Sequence, residues 1–76
     1  MTATATALVV PDSRAELALR QSSHPALRRL QIEESDTAVV IMGKVSSYYL
    51  KQMAQEAVMP LRGERELINR VLVAVQ

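Results

Sequence analysis

The stretch from Ala38 to Val75 constrains this chain most, because it strings together an apolar run, a serine pair, a helical pattern, two chain breakers and a second apolar run. Ala38-Val39-Val40-Ile41-Met42-Gly43-Lys44-Val45 is rich in β-branched residues and reads as a strand. Ser46 or Ser47 then offers a helix cap. Beyond it Leu50, Met53, Ala54, Ala57 and Val58 recur at the spacing that gathers side chains on one helical stripe. Pro60 and Gly63 break that helix, and Leu67-Ile68-Asn69-Arg70-Val71-Leu72-Val73-Ala74-Val75 reads as a strand. A strand-helix-strand step of this kind crosses over right-handed and leaves its strands parallel. If the two strands are neighbours, the sheet is mixed.

Upstream, Leu27 to Glu34 alternates, with Leu30 and Ile32 on one side and Arg29, Gln31 and Glu33 on the other, as a strand with one buried face does. The short polar turn Ser35-Asp36-Thr37 makes it a hairpin with the strand that follows. Before it, Ser13 precedes Glu16 by three residues, a capping-box spacing, and opens a helix from about Arg14 to Ser22. Ser22-Ser23-His24-Pro25 closes that helix, since the residue before a proline is pushed out of the α region. Residues 1–11 are low in complexity and read as a flexible tail, in which residues 8–10 could add a short strand. Residues 12–76 form one domain. The expected fold is α+β in the order αββαβ, a three-stranded mixed sheet with two helices packed on one face.

A chain of 76 residues without cysteine, phenylalanine or tryptophan must hold itself together with an aliphatic core and no disulfide. The single histidine, His24, leaves any metal site to carboxylates, and Glu33, Glu34 and Asp36 sit at a hairpin end open to water. Each serine sits where a cap or turn uses a hydroxyl, with one histidine to activate any of them, so neither an enzyme nor a cofactor is expected. A formal charge of +1 and strands without stacking aromatics argue against nucleic acid as a partner. There is no apolar run of bilayer-spanning length, and the opening residues lack the basic region of an export signal. The default expectation is therefore a cytoplasmic protein.

Val40-Ile41-Met42-Gly43-Lys44-Val45-Ser46-Ser47 resembles the strand-to-helix step of the BON domain, the family named for bacterial osmotically inducible and nodulation proteins. The later half agrees with that family: small residues at Ala54 and Ala57, then Pro60 and Gly63, then Leu67-Ile68-Asn69-Arg70-Val71-Leu72-Val73. The resemblance covers about Pro25 to Val75, with Gly43, Ser46, Ser47, Gly63 and Asn69 as its motif positions. It departs at Glu64, where the family carries an apolar residue, so the loop before the last strand is expected to pack differently. The resemblance implies a non-catalytic binding module that contacts phospholipid, and it leaves a periplasmic or membrane-peripheral location open.

The expected faces supply the candidate surface. Helices would cover Leu30, Ile32, Val39, Ile41, Val45, Leu67, Val71 and Val73, leaving Val40, Met42, Ile68 and Leu72 on an open face. Tyr48 and Tyr49, beside Lys51 at the start of the second helix, form a second candidate anchor, or else Tyr49 merely closes the core. Arg29, Lys44 and Arg70 would add a basic stripe to the open face. Gly43 reads as room for a helix to pack on the sheet and Gly63 as a left-handed turn residue. Two functional expectations follow: contact with a phospholipid or protein surface, or a structural homodimer or assembly adaptor paired through the open sheet face.

Overall fold

The structure, a computed structural model, describes residues 13–74. The tail and its short strand at residues 8–10 lie outside the described residues. Helix α1 spans Arg14–Arg20 and begins as its cap dictates, with the Glu16 N–H donating to Ser13 Oγ at 2.9 Å. The reciprocal half of a capping box is replaced by an ion pair, because the Glu16 carboxylate takes Arg20 one turn on at 2.9 Å. Ala15 and Leu19, one turn apart, are the residues α1 buries.

Between α1 and the sheet the structure corrects the expectation. Pro25–Arg28 is a short helix, α2, with Pro25 at its start, where its missing N–H and fixed φ suit the first helical turn. Leu27 and Leu30, three apart, are both fully buried, which alternation would forbid and a helical turn allows. Strand β1 is therefore confined to Gln31–Glu34. Strand β2 spans Ala38–Met42, β3 Lys44–Val45, α3 Tyr48–Val58, β4 Glu66–Asn69 and β5 Leu72–Val73. A single 3-10 turn, Met59–Leu61, holds Pro60 after α3, and Gly63 takes the left-handed φ of +66° expected of it.

Strands β1, β2 and β4 form a mixed sheet in that order, β1 antiparallel and β4 parallel to β2. The expected α+β architecture with helices on one face of a three-stranded mixed sheet is what the chain adopts. Two expected strands are each split, β2 from β3 at Gly43 and β4 from β5 at Arg70 and Val71. The two breaks lie side by side. Ile41 pairs with Asn69 and Lys44 with Leu72, both 28 positions apart, so the parallel register runs unshifted through the break. Backbone bonds from Arg70 N–H to the Ile41 carbonyl at 2.8 Å and from Leu72 N–H to the Gly43 carbonyl at 2.9 Å carry it across. Strands β3 and β5 thus extend the main sheet beyond a bend.

The bend has local causes. Gly43 sits at φ +135°, which L side chains rarely adopt, and a Cβ there would lie 2.5 Å from Leu30 Cδ2. The space beside Gly43 is taken by Leu30, in the residues leading into β1, rather than by a helix as expected. On the neighbouring strand Asn69 Oδ1 accepts the Val71 N–H at 3.1 Å, a turn that interrupts the extended backbone. The core lies between the sheet and the helices: Leu30, Val39, Ile41, Val45 and Val71 meet Ala15 and Leu19 of α1, Leu27 of α2, and Ala54 and Val58 of α3. Each fully buried Leu or Val side chain of this set stabilises the fold by about 1.5–3 kcal/mol.

Candidate functional site

The side of the sheet opposite the helices is built by strand alternation. Val39, Ile41, Val45 and Val71 face the core and are buried, so Val40, Met42, Ile68 and Leu72 face away. Val40, Met42 and Ile68 are half-buried by their neighbours, whereas Leu72 remains 65% exposed. Register sets their order: Glu33 opposite Val40 and Val40 beside Ile68, Gln31 opposite Met42, and Lys44 beside Leu72. Glu66, beside Ala38, begins this face. Arg70, one residue past the partner of Ile41, lies next to Met42.

Ser47 Oγ accepts the Leu50 N–H at 3.3 Å and so starts α3, while Ser46 does not cap it. That start places Tyr48 and Tyr49 within four residues of Val45, at the sheet end formed by Lys44, Val45, Leu72 and Val73. Both rings stand in solvent, Tyr48 at 72% and Tyr49 at 66% exposure, so neither closes the core. Lys51, one turn into α3, is half-buried and its carbonyl is held by Asn69. Asn69 joins helix to sheet: Nδ2 donates to the Lys51 carbonyl at 3.0 Å and to Gln55 Oε1 at 3.4 Å, while Oδ1 takes the Val71 N–H.

The expected basic stripe is divided. Arg29 is not on a strand but ends α2, and it lines a shallow depression of about 280 Å³ with Lys44, Ser46, Ala26, Val45 and Ala74. Arg70 is exposed on the open face beyond the bend in β4. What the three share is an end of the molecule. The sequence between Asp36 and Glu56 contains no acidic residue, nor does the stretch after Glu66, so no carboxylate from β2, β3 or β5 offsets them.

The opposite end gathers the hairpin acids Glu33, Glu34 and Asp36, which the sequence already groups, with Glu64 and Glu66, which it does not. Glu33 and Glu34 end β1, Asp36 lies in the hairpin turn, and Glu64 is exposed beside Gly63 in the turn that leads to Glu66. The Glu66 N–H donates to the Thr37 carbonyl at 2.9 Å, which brings the two turns together. Arg65 donates to Glu34 Oε1 at 2.6 Å and to the Leu61 and Arg62 carbonyls, so its charge is engaged. The Ser13 hydroxyl, aided by Arg65, holds the Glu34 carboxyl below its ordinary pKa against the opposing effect of burial. A depression of about 330 Å³ lined by Glu33, Glu34, Ser35, Ala38 and Val40 opens beside them.

No grouping of three or more His, Cys, Asp or Glu side chains able to hold a metal ion occurs among the described residues. No helix among them is long and apolar enough to cross a membrane. The site is thus a surface: a partly apolar sheet face, acidic at one end, with cations and two exposed tyrosines at the other. Comparison of the chain with protein-family models, with curated proteins and with solved structures finds no match.

Proposed function

We propose that this chain is a non-enzymatic, BON-like binding module that docks on a phospholipid surface through the end of the sheet bearing Tyr48 and Tyr49. The observation that carries the reading is the company these rings keep: two exposed tyrosines and exposed Leu72 share one end with Lys44, Arg29 and Arg70. A tyrosine ring has an apolar body and a polar tip, which suits the boundary between headgroups and acyl chains. Lysine and arginine beside it are drawn to anionic headgroups, each contributing about 1 kcal/mol near such a surface. A hairpin, then Ser47 opening a crossover helix, then a last strand parallel to the second, with Gly43 just past β2, supports the family part of the reading, although α2 and the two split strands depart from a plain αββαβ order.

The test is flotation of the purified chain with anionic and with zwitterionic vesicles at low and physiological salt. Binding is expected with anionic vesicles and should weaken as salt rises, because the attraction is screened within about 8–10 Å. Replacing Tyr48→Ala together with Tyr49→Ala should abolish flotation and leave the unfolding free energy within about 0.5 kcal/mol of the parent, as for exposed positions. Absence of flotation with every vesicle would refute lipid contact and transfer this end to a protein partner.

A further inference from the structure

The open sheet face is ordered along its strands in a way that selects its partner. Glu66 beside Ala38 begins it, Glu33 follows beside Val40 and Ile68, then Met42 with Arg70, and Lys44 beside Leu72 ends it. One face therefore passes from carboxylates through apolar side chains to cations. An anionic surface laid flat on it would meet Glu33 and Glu66, and a cationic one would meet Arg70 and Lys44. A second copy of the same face answers both ends, provided it lies the right way round.

Identical chains associate most often about a two-fold axis, which requires the shared patch to be complementary to itself. An axis along the strands would stack acid on acid and base on base. An axis across the strands reverses one sheet over the other and sets each acidic end over a basic one. We propose that the open face is the interface of a symmetric dimer of this second kind, with Glu66 of each copy over Leu72 of the other and diagonally across one strand spacing, ~4.8 Å, from its Lys44, and with Val40, Met42, Ile68 and Leu72 packed between the sheets. Neither Lys44 nor Glu66 makes an ion pair among the described residues, so both are free to do this.

The face is three strands wide at ~4.8 Å each and seven residues long, from Ala38 to Lys44, at ~3.3 Å each, about 14 by 23 Å. A flat footprint of about 330 Å² per copy is below that of standard specific interfaces, so the dimer is weak and transient and dissociates on dilution. It goes beyond lipid contact at the tyrosine end, with which it shares Lys44, Arg70 and Leu72 but not Val40, Met42, Ile68 or Glu66, so a change confined to the latter reads association apart from flotation.

The experiment is sedimentation velocity on the full chain from micromolar to millimolar concentration. The parent should dimerise with concentration and less so at high salt. Lys44→Glu and Glu66→Lys should each weaken the dimer about tenfold, and the two changes together should restore it to within about threefold of the parent. Both side chains are exposed, and far-ultraviolet circular dichroism checks that each variant folds. Met42→Asn, which adds no charge beside Arg70, should weaken the dimer at least about tenfold and leave flotation unchanged. A monomer at every concentration overturns the proposal, as do single changes without effect or a double variant no tighter than the singles. Loss of flotation in Met42→Asn without a change in association assigns the face to lipid and overturns it too.

Discussion

Two glycines with positive φ test how much of this fold rests on single residues. At Gly63 an added Cβ meets nothing within 4 Å, so Gly63→Ala pays only for left-handed backbone, about 1–2 kcal/mol. At Gly43 the same change adds strain at φ +135° to a collision with Leu30, whose Cδ2 lies 2.5 Å and whose Cα lies 3.4 Å from the new atom. Leu30 is 1% exposed, so its side chain has nowhere to retreat. Gly43→Ala should therefore destabilise by about 2–4 kcal/mol, clearly more than Gly63→Ala, in urea unfolding of the two variants. In a Leu30→Ala background the Gly43→Ala loss should shrink toward the strain alone, since the two positions then no longer collide. Equal losses at the two glycines would remove Leu30 from the account. Both glycines are visible in the sequence as interruptions of a pattern. The neighbour of Gly43 is not visible, because Leu30 reaches it through hairpin register, and register depends on where β1 begins.

Elements were legible in proportion to the length of their patterns. The eleven residues of α3 carry a repeated apolar stripe and a serine cap, and both appear where the spacing puts them. The four residues of α2 carry one buried leucine and a proline, too few for a period, and Pro25 was as good a stop signal as a start signal. Arg29 consequently falls at a helix end instead of on a strand. Long-range pairs were hidden for the same reason. Glu34 and Arg65, 31 residues apart, join β1 to the turn before β4, and Ser13 at the start of α1 adds its hydroxyl to the same carboxylate. The Glu34 pKa is lowered in the folded chain, so the stabilisation is present above the unfolded value near ~4.3 and is lost as pH falls through the lower folded value. Both side chains are about a quarter exposed, which limits the effect to about 1 kcal/mol or less and makes it weaken with salt. Carbon-detected NMR titration should give the Glu34 carboxyl a pKa below the ordinary glutamate value, moving up in Ser13→Ala and in Arg65→Gln. A Glu34 titration unmoved by either change would show that the three elements are not joined electrostatically.

For the whole molecule, a formal charge of +1 conceals a separation that only the fold creates. The basic residues are scattered in sequence, and their grouping follows from topology: parallel β2 and β4 begin at the hairpin end with its acids and lead to β3 and β5 at the end with Lys44 and Arg29. Placement of charge, not its total, should then govern attraction to an anionic surface. Two substitutions separate these. Arg29→Glu and Arg14→Glu change the total identically, but Arg29 stands beside Lys44 at the tyrosine end, whereas Arg14 follows Ser13, which touches Glu34 at the acidic end. Arg29→Glu should reduce flotation with anionic vesicles at low salt by several-fold, the loss of attraction at one position plus repulsion from the new carboxylate. Arg14→Glu should change it by less than about twofold, because its charge lies farther from the docking end than the screening length at moderate salt. Equal reductions would mean that net charge alone draws the chain to the surface, and the tyrosine end would lose its claim to be the point of contact.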